Sequence, residues 1–202
     1  MALHAGRLRF GAERGKITLL TARDGLAAPA GHDLSIEVTR WSAELTVADD
    51  LMPAGLAVQA DMNSLVVREG TGGMKPLTDR DRREIAVTMR KLLRADVHPT
   101  ATFTASRFEP DAESGADGGG MVDGTLSLAG AARPLLLRVT SEGNGGRYHA
   151  TGSVRQSDFG IKPYTAFLGV LKVSDAVGVA VDVELPGAEA WEGAGSQAGD
   201  RP

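Results

Sequence analysis

The sequence predicts a mainly β protein, an antiparallel β-barrel of about eight strands with one covering α-helix. Apolar and polar residues alternate along most of the chain, which is the pattern of half-buried strands. Its 26 glycines punctuate those stretches with turn chemistry. One segment alone changes to helical spacing. A sheet closed on itself also disposes of its exposed edges.

The alternation opens with Ile17 and Leu19 and resumes at Leu34, Ile36 and Val38. Leu45 and Val47 follow, then Leu56, Val58, Ala60 and Met62. After a gap come Ala101, Phe103 and Ala105; Val122, Gly124, Leu126 and Leu128; and Leu135, Leu137 and Val139. Tyr148, Ala150, Gly152 and Val154 form another strand, and Val177 to Leu185 in steps of two form the last. Asp49–Asp50, Gly118–Gly120, Gly130 and Gly143–Gly146 mark turns between them.

The exception is "LTDRDRREIAVTMRKLL", which predicts a helix over 78–93. Thr78 and Asp81 have capping-box spacing, with Asp in place of the usual Glu or Gln. Ile85, Met89, Leu92 and Leu93 make its apolar face, expected to close over the barrel. Arg80, Arg83, Arg90, Lys91 and Arg94 form a stripe nearly opposite, and Arg82 falls on the apolar side. The stripe is a solvated face with local ion pairs or a transient contact with anionic membrane.

Residues 1–15 read as an N-terminal extension, 16–185 as the barrel domain, and 186–202 as a disordered Gly- and Ala-rich tail. With 202 residues the core can be self-sufficient. The absence of cysteine excludes disulfides, zinc–thiolate sites and thiol catalysis. A net charge of −4 argues against nucleic acid as a partner. No apolar run reaches the ~18 residues of a membrane-spanning helix. The opening "MALHAGRLRFGAERGK" has no apolar core of the secretory kind, so the expected location is cytoplasmic.

Candidates for chemistry are few. His32 and Asp33 are adjacent at the start of a strand, where consecutive side chains face opposite ways. A base and its orienting carboxylate must share one substrate, so the pair is a poor dyad. The structural reading has Asp33 in an Asx-type turn and His32 bonding a nearby carbonyl; His32 touching a ligand is the alternative. His4, His32, His98 and His149 have no metal-motif spacing. "GTGGMKP" lacks phosphate-loop spacing and reads as a mobile loop. "DAESGADGGG" reads as a solvated hairpin loop rather than a calcium site. No catalytic residue, metal site or cofactor is expected. "DFGIKPYTAFLG" holds three of the nine aromatic residues, and it is a core plug, a dimer contact or the rim of a lipid tunnel.

Several segments, taken in order, resemble the YceI-like family of lipocalin-type barrels. "HPTATFTASRF" (98–108) is similar to its Pro-x-x-x-Phe-x-x-Ser strand, and "VDGTLSLAGAARPLLLRV" (122–139) to its Gly-rich hairpin ending in Arg-Pro. "VRQSDFGI" (154–161) resembles its Arg-x-x-Asp-Phe-Gly motif, and "VSDAVGVAVDVEL" (173–185) its final strand. "GHDLSIEV" stands where the family has a His-Ser strand, with Asp33 in place of Ser, after a longer "ARDGLAAPAG" connection. Family members are commonly exported, unlike the expectation here.

The resemblance implies a non-enzymatic barrel whose hydrophobic tunnel holds a polyisoprenoid or similar long-chain lipid, often as a homodimer. On that reading the tunnel and its mouth would be formed by His32, Leu34, Ile36, Arg82, Ile85, Met89, Phe103, Leu126, Leu128, Val154, Phe159, Ile161, Tyr164 and Phe167. Small residues such as Ala60, Ala101, Ala105, Ala150 and Gly152 would leave volume along the axis, though they fit a filled, narrow barrel equally well. The rival readings are a filled structural barrel without ligand and a lipid-modifying enzyme with His32 or His98 as base.

Overall fold

A computed structural model describes residues 3–111, 119–142 and 146–192 of the chain. The "DAESGADGGG" loop falls largely outside them, as does the tail from 193 onward. The described residues form twelve strands and one α-helix. The strands are β1 (Gly6–Gly11), β2 (Gly15–Asp24), β3 (Asp33–Val38), β4 (Trp41–Val47), β5 (Pro53–Asp61) and β6 (Leu65–Thr71). After helix α1 (Asp79–Leu92) come β7 (Thr100–Pro110), β8 (Gly120–Leu128), β9 (Ala131–Glu142), β10 (Arg147–Arg155), β11 (Thr165–Ala166) and β12 (Leu171–Glu184).

All pair antiparallel in one curled sheet, in the order β1-β4-β5-β7-β8-β9-β10-β12-β2-β3-β6, with β11 added beside β12. The count exceeds the nine alternating stretches of the sequence because three strands escaped the alternation test. β1 lies in the supposed extension, yet Leu8 is 1% exposed. β6 begins Leu65-Val66-Val67, an apolar run with no period of two, although only its middle residue faces solvent. β11 has two residues, too few for any pattern.

The sheet is a half-barrel with two ends, β1 and β6, rather than a ring closed by hydrogen bonds. Each end is covered. Arg82 of α1 donates from Nη1 to the carbonyls of Arg68 (2.6 Å) and Val67 (3.4 Å) on β6. On β1, Arg7 and Glu192 exchange backbone hydrogen bonds of 2.9 and 2.8 Å. Trp191 beside that bridge is buried with Leu8, Leu45 and Val47. Residues 186–192 are therefore folded onto the sheet, which corrects the expectation of a disordered tail from 186. Trp191 supplies the apolar area that holds them there.

Curvature comes from bulges, which bend a strand and increase its twist. At Ala105/Arg107 of β7, one extra residue faces β8, so Ser106 and Arg107 both point to solvent and Phe108 turns inward. At Ser35/Ile36 the extra residue is on β6, and Arg68 and Glu69 both face out. Two clusters line the inner face. One joins Ile17, Ile36, Val38, Trp41, Met62 and Leu65 under α1. The other joins Phe103, Val122, Leu135, Leu137, Val154 and Phe159 on the opposite wall. Gly124 lies under the Phe103 ring, where a Cβ would come 2.5 Å from Cζ.

Helix α1 starts where the capping box placed it. Thr78 Oγ1 accepts from the Asp81 N–H, and the Asp81 carboxylate accepts from the Thr78 N–H. Ile85, Met89 and Leu93 pack against the first cluster. Thr78→Ala should therefore lower stability in urea unfolding by about 1 kcal/mol.

Four carboxylates are held below the ordinary range. Hydrogen bonds from Arg68 to Glu37, from Arg40 to Asp61, from Thr78 to Asp81 and from Ser157 to Asp175 are the leading causes. A carboxylate whose folded pKa is depressed stabilises the fold above its unfolded pKa and loses that contribution as pH falls through the folded value. Thermal melts should thus be flat near neutrality and drop below about pH 4. Unchanged melting temperatures from neutral pH to pH 2 would contradict these four assignments.

Candidate functional site

The inward phase of each long strand is apolar, and the space it surrounds is not filled. A continuous cavity of about 1370 Å³ runs through the half-barrel. It exceeds the ~300–1,000 Å³ of common small-molecule pockets. Along β12 it is bordered by Leu171, Val173, Val177, Val179, Val181 and Val183, which is roughly 40 Å of strand. Its walls are an elongated apolar tunnel rather than a compact pocket.

The ends differ. One is bordered by Thr21, Arg23, His32, Lys75, Tyr164 and Lys172. The other is bordered by Leu3, Leu51, Met52, Phe108 and Met121, with Glu109 beside them. Tyr148 also lines the interior, and burial pushes its hydroxyl above the usual range. Trp41 stands in the wall, 8% exposed, and its indole N–H has no acceptor among the described residues. A buried donor without a partner is uncommon, and this nitrogen is itself covered, so Trp41 contributes ring surface to the wall.

Of the residues expected to form the tunnel, His32, Leu34, Ile36, Ile85, Met89, Phe103, Leu126, Leu128, Val154, Ile161 and Tyr164 border the cavity. Arg82 does not. Its guanidinium is spent on the β6 carbonyls, away from any head group. Phe159 is buried in the wall behind the lumen, because the turn Gln156–Phe159 ends at Gly160 with φ 70° and folds the ring against Leu135 and Leu137. The side chain of Phe167 lies outside the described residues. Ala60, Ala101 and Ala150 border the space, whereas Gly152 is covered by Leu137, whose Cδ2 would lie 2.6 Å from a Cβ there.

Sequence reasoning missed Leu19, Trp41, Leu171 and the valines of β12 as site residues. The signal existed for β2 and β12, since their apolar phase is the same one that supplied Leu34 and Ile36. Trp41 opens its strand two residues after a turn, where alternation has hardly begun.

His32 and Asp33 serve different partners. His32 Nε2 donates to the Lys75 carbonyl at 2.7 Å, and its ring lies beside Gly73, so it pins the 72–76 loop across the end of the tunnel. The loop expected to be mobile is thereby tied to β3. Asp33 makes no Asx turn; it accepts the Arg23 N–H at 2.8 Å, with Arg23 Nε 3.8 Å away. This joins β2 to β3 rather than orienting an imidazole.

An antiparallel half-barrel enclosing an apolar lumen, with charge confined largely to the ends, defines the class: a hollow, lipocalin-like β half-barrel. A comparison with protein families matches residues 21–185 to the YceI-like domain, and the chain belongs to that family. Among solved structures, Burkholderia cenocepacia BcnA is similar with a TM-score of 0.59 and 17% identity, over 85% of this chain and 96% of that one. A Campylobacter jejuni YCEI protein is similar with a TM-score of 0.54 and 18% identity, over 74% and 82%. These likenesses concern the fold. No curated protein matches the chain.

His32→Ala should destabilise the protein by about 1 kcal/mol, the value of one hydrogen bond. It should also speed amide exchange in residues 72–76. Exchange there at the wild-type rate would show that the bond does not hold the loop.

Proposed function

We propose that the chain binds a long-chain apolar lipid, a polyisoprenoid or similar molecule, inside the half-barrel, and carries or sequesters it without chemical change. The unfilled lumen of about 1370 Å³ carries this reading. A filled structural barrel would place side chains there at the density of a protein interior. Each methylene buried from water contributes about 0.8 kcal/mol. A long hydrocarbon therefore gains affinity along the whole valine wall of β12 without specific contacts. Membership of the YceI-like family supports the same conclusion. The enzymatic alternative loses its best candidate, since His32 is engaged by a backbone carbonyl.

Protein purified from its native host, extracted into organic solvent and examined by mass spectrometry, should yield a lipid at close to one per chain. Leu126→Trp and Val179→Trp enlarge side chains that border the lumen and should reduce uptake of a polyprenol probe while melting cooperatively. Phe103→Arg should abolish uptake or folding. A chain with no extractable lipid and no affinity for a polyprenol, or tryptophan variants that bind it as tightly as the wild type, would refute the tunnel reading.

A further inference from the structure

The three most exposed large apolar residues are Leu168 at 106%, Leu26 at 96% and Met74 at 81%. They stand on three different loops, and all three loops meet at the polar end of the tunnel. Backbone and side-chain contacts tie the loops together. Ala27 N–H donates to the Val170 carbonyl at 3.1 Å. His32 donates to the Lys75 carbonyl, and Gly72 lies against the Arg23 guanidinium. Tyr164 and Lys172, at the two ends of the third loop, border the lumen; none of the three tips does.

Each tip adjoins a glycine with positive φ: Gly25 (90°) before Leu26, Gly73 (70°) before Met74, and Gly169 (87°) after Leu168. Such glycines allow tight turns that throw the neighbouring side chain outward. Leu168 itself adopts φ 57° and ψ 32°, a left-handed conformation unfavourable for a leucine. Tyr164 and Val170, at 44% and 42% exposure, widen the apolar collar. Lys75, Lys162 and Lys172 stand among these residues, and none has an ion-pair partner among the described residues. Of the nearby carboxylates, Asp33 faces Arg23, Asp81 caps the helix, and Asp24 accepts the Gly25 N–H. Asp24 and Asp81 keep their charge, so it is the three lysines beside the tips, not an excess of positive charge over the whole end, that are placed to meet anionic phosphates.

We propose that this end docks on an anionic lipid bilayer, with Leu26, Met74 and Leu168 inserted among the acyl chains and the lysines at the level of the phosphates. Separated tips around an opening do not make the contiguous apolar centre of a protein interface. A fluid bilayer accommodates them singly, and lysines near an anionic surface add attraction that salt screens. The geometry stands alone; its purpose rests on the lipid-binding reading, because the opening would then face the bilayer and a lipid could enter without crossing water.

The full chain can be co-sedimented at low salt with mixed phosphatidylglycerol and phosphatidylcholine vesicles, and with phosphatidylcholine alone. The wild type should bind the anionic vesicles. A Leu26→Ser, Met74→Ser, Leu168→Asn variant should melt like the wild type and bind at least about tenfold more weakly. Its uptake of a polyprenol delivered in detergent should be unchanged, which separates docking from tunnel binding. An Arg83→Glu, Arg90→Glu, Arg94→Glu variant, which reverses the basic face of α1, should retain most of the binding. No binding by the wild type, equal binding by the tip variant, or loss confined to the α1 variant would overturn the proposal. So would self-association through the loops in place of vesicle binding.

Discussion

Arg82 crosses from α1 to two carbonyls on the outer edge of β6, and the lumen depends on that edge being held. A curled sheet that stops short of closure keeps a row of unpaired backbone groups at each end. Left bare, they would recruit another strand or let the wall unroll. α1 answers this twice. Its arginine satisfies part of the β6 edge, and its apolar face roofs the gap above Ile36, Leu65 and Val67. The far edge is treated differently: a single backbone bridge at Glu192, anchored by Trp191, extends the pairing of β1. One edge is covered by a side chain and the other by backbone, and the volume between them stays open.

That open volume is possible because the inner face of the sheet is apolar but unevenly sized. Alanines at 60, 101 and 150 retreat from the lumen while Phe103 is drawn back over Gly124. The aromatic ring thus thickens the wall instead of filling the centre. Charge is excluded from the middle and collected at the ends, where Arg23, Lys75 and Lys172 meet water. The same arrangement that makes the middle hospitable to hydrocarbon gives the molecule a direction.

Much of this was legible in the sequence. Alternation located most strands, and the spacing of Thr78 and Asp81 located the helix start, because both are local properties. Leu34, Ile36, Phe103 and Leu126 could be assigned to the lumen from phase alone. What failed was decided by distant partners. Nothing near Arg82 shows that it will meet β6 carbonyls. Nothing near Trp191 reveals the hole beside Leu8 that receives it. The Asp-Phe-Gly segment was legible as a motif, but whether Phe159 points into the lumen or behind its wall depends on the direction of a single turn.

The bulges also bear on how the sequence can change over evolutionary time. At β7 and β6 one extra residue shifts the phase of its strand, so that Ser106–Arg107 and Arg68–Glu69 stay outside while Phe108 and Gly70 are carried inward. Between Val173 and Val177 the excess over β2 is two residues, and the phase is kept. A period of two makes parity the governing quantity. Deleting Ser106 would only remove the β7 bulge, leaving Arg107 outside and Phe108 inward. Losing one residue from a regular stretch such as Val179–Val183 would instead turn the valines on one side of it towards water. Losing two residues from the β12 irregularity would leave the valine wall intact. Length variation should be tolerated at connections such as 22–31, at even-numbered irregularities and at the bulge residues themselves, and purged where it is odd within a regular stretch of strand.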